Sequence, residues 1–196
     1  MRKNVKQFLI FTLSVLIFSS CKEKHPHEMK MLDELLLLVD STEEALNYDL
    51  ITLNNRAALI KFQIETFKRF NTETYTLETG LRLDKYKEIY KVYKKFIDGF
   101  EPCYNTMKLS EKQIENLRNS VEDNKLTKEE FKKFHQDEKS RALVNLAKAR
   151  KISKFIPAME PEFQRLHKEV DAMLNHVAKS DSTLRRILDE ELGGKD

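Results

Sequence analysis

The sequence predicts an all-α fold, an elongated and mainly antiparallel bundle of four long helices with short extra helices. Three observations lead there. Apolar residues recur at steps of three and four through most of the chain, as they do on helices with one buried stripe. Strand signals are nearly missing, because no stretch alternates apolar and polar residues between turn clusters. Helix breakers are scarce, with 4 Gly and 4 Pro in 196 residues.

The clearest periodic segment runs from Met29 to Phe70. Leu32, Leu36, Val39, Leu46, Leu50, Leu53, Ala57, Ile60, Ile64 and Phe67 follow a seven-residue repeat, with Glu43 as the polar member. Such a repeat keeps a stripe aligned with a partner helix, as in a coiled coil. One continuous helix of about 63 Å is expected. Ser41-Thr42-Glu43-Glu44 reads as a capping box, but Asp40 supplies no hydrophobic staple there and the repeat keeps its phase. Leu35, Leu37, Leu38, Ile51, Ala58, Leu59 and Phe62 form a second apolar face. A helix apolar on two sides belongs among several neighbours, which favours a bundle over a fibre.

A second helix is expected after the polar turn Asn71-Thr72-Glu73-Thr74. Its seam is Leu83, Tyr86, Tyr90, Tyr93, Ile97 and Phe100, and Gly99 with Pro102 is expected to end or kink it. Tyrosines in a seam suggest a shallow core whose hydroxyls reach water. Two helix starts carry a capping box and a staple. Ser110 with Gln113 and Leu109 with Ile114 predict a short helix near 110–123. Thr127 with Glu130 and Leu126 with Phe131 predict a long one near 127–156, bearing Phe131, Phe134, Ala142, Leu146, Ala149, Ile152 and Ile156. Pro157 and Pro161 mark a bend. The last main helix then has Phe163, Leu166, Val170, Met173 and Val177 as its seam, and Ser180-Asp181-Ser182 recaps a short tail helix with Leu184, Ile187 and Leu188. Gly193-Gly194 stops it.

The N-terminus carries an address. Arg2, Lys3 and Lys6 precede an apolar run from Phe8 to Phe18 interrupted only by Thr12 and Ser14. Eleven helical residues span about 16 Å, against a hydrocarbon core of about 30 Å. The run is too short for a stable span and fits the middle of a secretory signal. Phe18-Ser19-Ser20-Cys21 follows, with small residues just before a cysteine and Phe18 where leucine is usual. This stretch resembles the lipobox of bacterial lipoproteins, and the resemblance covers residues 1–21 only. It implies cleavage before Cys21, a diacylglycerol on its sulfur and acylation of its amine, with chains such as palmitate. The expected organisation is a signal peptide over 1–20, a lipidated tether over 21–27 and a helical bundle domain over 28–196. The expected place is the cell envelope, with Cys21 holding the chain to a bilayer, the outer membrane being favoured over the inner.

Removal of the signal changes the charge. The chain has 35 Lys+Arg against 32 Asp+Glu; without Arg2, Lys3 and Lys6 the two are equal. The overall basic pI therefore reflects the export segment and not a nucleic-acid footprint. Cys21 being acylated, Cys103 has no intramolecular partner, and its place between Phe100 and Tyr104 predicts a buried free thiol.

Motifs that carry chemistry are scarce. His135 lies three residues before Glu138, and His167 four before Asp171, a spacing at which two side chains can share a metal. His25 and His27 flank Pro26 in the tether. No Glu-x-x-His pair occurs, and these histidines read as solvated. Asp123 to Phe131 resembles the second half of an EF-hand loop, with Asp123, Thr127 and Glu130 at ligand positions, but Asn119, Val121 and Asn124 fail the first half. Met173 and His176 are candidates for a non-covalent haem, although a seam methionine reads as core. Lys87, Lys91, Lys94 and Lys95 form a basic stripe that reads as a solvated face. No catalytic, cofactor-binding or metal-binding residue is assigned. The expected function is binding or scaffolding at the envelope, favoured over an enzymatic role, with a protein partner of unknown identity and no nucleic acid. The alternative is a metal- or cofactor-binding bundle or an enzyme of the envelope.

Overall fold

The computed structural model of the chain describes residues 25–71, 75–179 and 181–192. The signal segment and Cys21 lie outside them. The described residues form helices α1 (Pro26–Leu46), α2 (Leu50–Phe70), α3 (Leu77–Glu122), α4 (Lys128–Ser153), α5 (Ile156–Ala178) and α6 (Ser182–Leu192). No strand occurs among them. The fold is an all-α bundle of long helices.

The helices make three rows. α1 and α2 are the first, α3 the second, and α4 with α5 the third. α3 runs against both others: Asp33 pairs with Arg118, the Tyr48 ring meets Phe96, and Gln63 meets Tyr86. At 46 residues α3 spans about 69 Å and is the spine of the rod. The proximal half, nearer the N-terminus, packs α1, the end of α3 and α4 around Leu32, Leu35, Met107, Ile114 and Phe131. The distal half packs α2, the start of α3, α5 and α6 around Ile60, Tyr86, Phe96, Phe163, Leu166 and Leu184. Both cores close within residues 29–188.

The expected helix from Met29 to Phe70 is two helices. It is unbroken through Ser41 and Thr42, whose hydroxyls donate to the carbonyls of Leu37 and Leu38 one turn back. It stops at Asn47 and restarts after Asp49. The Asp49 carboxylate accepts the backbone N–H groups of Ile51 and Thr52 at 3.0 and 3.1 Å, an N-cap that satisfies two orphan donors. The stripe keeps its phase across the joint, because Leu46 and Leu53 are both buried.

The opposite correction applies to α3. The expected stop at Pro102 and restart at Ser110 are one helix. Pro102 is exposed, so the carbonyl that its missing N–H leaves unbonded faces water. Ser110 is no cap; it is 2 % exposed in the helix interior, and the intended staple residue Leu109 is on the surface. Gly99 has a packing role: a Cβ there would lie 3.0 Å from two carbons of Ile152. The third row changes helix at Lys154–Phe155, where Pro157 falls in the first turn of α5 and costs no hydrogen bond. The joint at 47–49, the Gly99–Pro102 segment and the joint at 154–155 therefore stand at one level, a waist near the proximal end of the distal core, to which Leu46, Cys103 and Ala149 also belong.

The start of α4 matches expectation. Thr127 Oγ1 accepts the Glu130 N–H at 3.2 Å, and Glu130 Oε2 accepts the Thr127 N–H at 2.9 Å. Phe131 is buried beside Leu126, but Phe134 is 45 % exposed because the buried stripe of α4 runs through His135 and Glu138 instead. α6 is capped by Asp181, which accepts from Thr183 and Leu184.

Candidate functional site

The most developed polar arrangement lies inside the distal core, where α2, α3 and α5 meet. Gln63 and Tyr86 are both fully buried. The Tyr86 hydroxyl donates to Gln63 Oε1 at 2.7 Å. His167 Nδ1 lies 3.3 Å from both the Tyr86 oxygen and Gln63 Oε1. An amide oxygen has no proton to give and the phenol proton is already used, so Nδ1 carries the hydrogen. The Gln63 amide nitrogen points to Asp171 Oδ1 at 3.5 Å, which fixes the orientation of the amide. Burial pushes the Tyr86 phenol far above its usual range, with Asp171 adding to the effect. Tyr86 and Tyr93 are fully buried, contrary to the expectation of a shallow core, and of the seam tyrosines Tyr90 alone is part-exposed.

Phe163 supports this centre. Its ring stacks on His167 at 5.4 Å and on Tyr86 at 6.3 Å, and the Arg56 guanidinium lies over it at 4.9 Å. Arg56 also pairs with Glu160, which ties α2 to α5. The His167–Asp171 spacing thus brings both side chains to one place, as the sequence suggests, but each is bound to protein partners. Asp171 also accepts from Asn175 at 3.3 Å. His167 is half-buried and not simply solvated.

Further along the same helices a cleft of about 590 Å³ opens at the distal end of the rod. Phe67, Tyr75, Thr79, Arg82, Glu169, Met173 and His176 line it. Arg82 Nε lies 3.3 Å from Glu169, and Arg165 pairs with the same carboxylate at 2.8 Å. Met173 is half-buried and packs on the distal core, and His176 is exposed on the rim. Apolar walls, one anchored Arg–Glu pair and an open mouth are what a binding cleft offers.

A second polar cluster lies in the proximal half. His135 and Glu138 are both 7 % exposed, contrary to the solvated reading. Arg141 pairs with Glu138 at 2.5 Å and also bonds Gln113 on α3. Burial holds the His135 imidazole below its ordinary value and pushes the Glu138 carboxyl up. The rings of Phe131 and His135 stack at 5.8 Å.

The remaining candidates do not converge. His25 bonds the Asn124 side chain at 2.8 Å and pins the first helix to the α3–α4 turn; His27 is exposed. In the calcium-like stretch, Thr127 and Glu130 are engaged in the cap and Asp123 pairs with Lys125. Among the described residues, no three His, Cys, Asp or Glu side chains are grouped to hold a metal ion. Cys103 is a buried free thiol whose pKa burial raises, and its carbonyl accepts from Asn145. Cys21 is outside the described residues. Among the described residues no helix is long and apolar enough to cross a membrane.

The sequence reading missed Gln63 as the hub of the distal centre. The available signal was a polar residue inside the stripe Ile60–Ile64–Phe67. Comparison of the chain with protein-family models, with curated proteins and with solved structures finds no match.

Proposed function

We propose that the chain is a lipid-anchored protein of the bacterial cell envelope that acts by binding, as a helical rod tethered through Cys21. The observation that carries this reading is Phe18-Ser19-Ser20-Cys21 directly after the basic and apolar signal segments. The helical domain begins at Pro26, so the tether from Cys21 reaches at most about 18 Å. The proximal end of the rod is thereby held close to the bilayer. The distal cleft is the contact site for a partner: it joins apolar walls to an anchored ion pair and lies beside the exposed Leu77 and Leu81.

Metabolic labelling with a fatty acid tests the anchor. Wild-type protein takes up label and fractionates with membranes; Cys21→Ala takes up none and is released or held as precursor. Equal labelling of the variant rejects the lipoprotein assignment.

A further inference from the structure

α4 has a face that the distal cleft and the two polar clusters do not use. From Lys139 to Met159 the chain contains no acidic residue. Within that stretch Arg141 is committed to Glu138. Lys139, Lys148, Arg150, Lys151 and Lys154 are exposed and, among the described residues, form no ion pair. At 100° per residue Lys139, Lys148, Arg150 and Lys151 share one half of the α4 circumference, and Lys154 follows in the joint after it. Leu143 and Val144 stand on the same half and Phe155 beside Lys154, respectively 45 %, 53 % and 49 % exposed. Lys154 lies over the Phe155 ring at 5.1 Å. Asp137 shares a depression with Val144 and Lys148, and Glu44 shares one with Arg150, Lys151 and Lys154.

Unpaired cations interleaved with large apolar side chains along the last ~21 Å of a helix and the joint after it are what an interfacial helix presents to lipid. The apolar groups enter the headgroup region and the ammonium groups stay with the phosphates. An acidic protein segment would satisfy the charges but gives no reason for Val144 and Phe155 to stand exposed among them. Position favours lipid as well. α4 runs parallel to α1, from the end of the rod that carries the tether toward the waist, and the face starts about 16 Å from the start of α4. We infer that this face of α4 docks on the anionic phospholipid bilayer to which the chain is tethered, so that the rod lies along the membrane. The inference rests on the membrane location proposed above.

The test uses the chain from Lys22 onward, which carries no acyl group and contains both cores. Vesicles of phosphatidylcholine alone are compared with equal parts of phosphatidylcholine and phosphatidylglycerol in a flotation assay. Binding is expected to the anionic vesicles only and to fall with added salt. Lys148→Glu/Lys151→Glu/Lys154→Glu should weaken it by about a hundredfold. The same charge change on α3, Lys87→Glu/Lys91→Glu/Lys95→Glu, should change it by less than about fivefold. Circular dichroism checks that each variant is folded, and neutral glutamine replacements of the α4 lysines provide a milder variant with the same ordering. Equal weakening by the two triple variants would mean net charge alone is read, and overturns the inference. Failure of the wild type to bind anionic vesicles, or equally tight binding to polyglutamate, overturns it too. Since no acyl group is present, those outcomes leave the anchor standing; absence of fatty-acid label on Cys21 would refute the anchor and leave the face.

Discussion

The two halves of the rod solve the same packing problem with different chemistry. The proximal core is aliphatic and sulfur-rich, with Met29, Leu32, Leu35, Met107 and Ile114, and the titratable His135 and Glu138 are buried beside it. The distal core is aromatic, with Tyr86, Tyr93, Phe96 and Phe163, and at its centre stands the hydrogen-bonded set around Gln63. The distal half also has the extra cover of α6. A shared spine therefore does not impose a shared interior. α3 fixes the direction of the rows, and the residues opposite it decide whether the core is held by shape, by hydrogen bonds or by an ion pair.

The largest effect expected concerns shape. Phe163→Ala should cost about 3–5 kcal/mol, because it removes the ring on which Tyr86, Tyr93, His167 and Arg56 all lean. Leu32→Ala in the proximal core should cost about 2–5 kcal/mol. Urea unfolding should show one transition for both variants, because α3 runs without a break through both cores. Two transitions, only one of them shifted by each variant, would show that the halves fold separately and that the waist is a domain boundary.

The joints also show where sequence is informative. The capping box at Thr127 and Glu130 forms as written, because the turn at Asp123–Leu126 leaves the helix start open to water. The same letters at Ser110 and Gln113 sit inside a continuous helix, since nothing before them forces the chain to turn. Pro102, the expected terminator, points outward, where losing one bond is tolerable. The break at Asn47–Asp49 is hidden for the opposite reason: the restart preserves the apolar phase, so periodicity does not register it. Its legible mark was Asp49 followed by Thr52, an N-cap with its hydroxyl partner at 2.6 Å. On α4 the stripe passes through His135 and Glu138, so a count of apolar residues alone shifted the seam to Phe134. The helical class, the α4 start and the buried Cys103 could be read; the distal centre could not, because it joins residues 63, 86 and 167 from three helices.

A middle-sized effect tests the distal hydrogen bonds. Gln63→Leu keeps most of the volume but takes away the acceptor of the Tyr86 hydroxyl and the donor to Asp171. It should cost about 1–3 kcal/mol, the penalty for leaving buried polar groups unsatisfied. Tyr86 must then donate to His167, which requires the imidazole proton to move from Nδ1 to Nε2. Nitrogen-15 chemical shifts of the histidine should report that exchange of tautomer. Unchanged stability with an unchanged tautomer would mean that aromatic packing holds the distal half without Gln63.

The smallest effect is specific to the proximal half and depends on pH. Burial depresses the pKa of His135 from 6.5. Below that value the unfolded chain binds a proton that the folded chain resists, so His135 lowers stability as the solution is acidified. Glu138 acts in the other direction. Its pKa is raised from 4.5 by burial, against the pull of Arg141. Above 4.5 the folded chain retains a proton that the unfolded chain has lost, so Glu138 lowers stability as pH rises. His135→Gln should therefore gain on the wild type as pH falls from neutral to about 5, by less than about 1.4 kcal/mol per pH unit. Glu138→Gln should lose its advantage over the same range. Denaturant midpoints measured across that range check both slopes. Parallel curves for His135→Gln and wild type would show that the imidazole titrates alike in folded and unfolded chains, and the pH-sensitive contribution assigned to His135 in the proximal interior would fall with it.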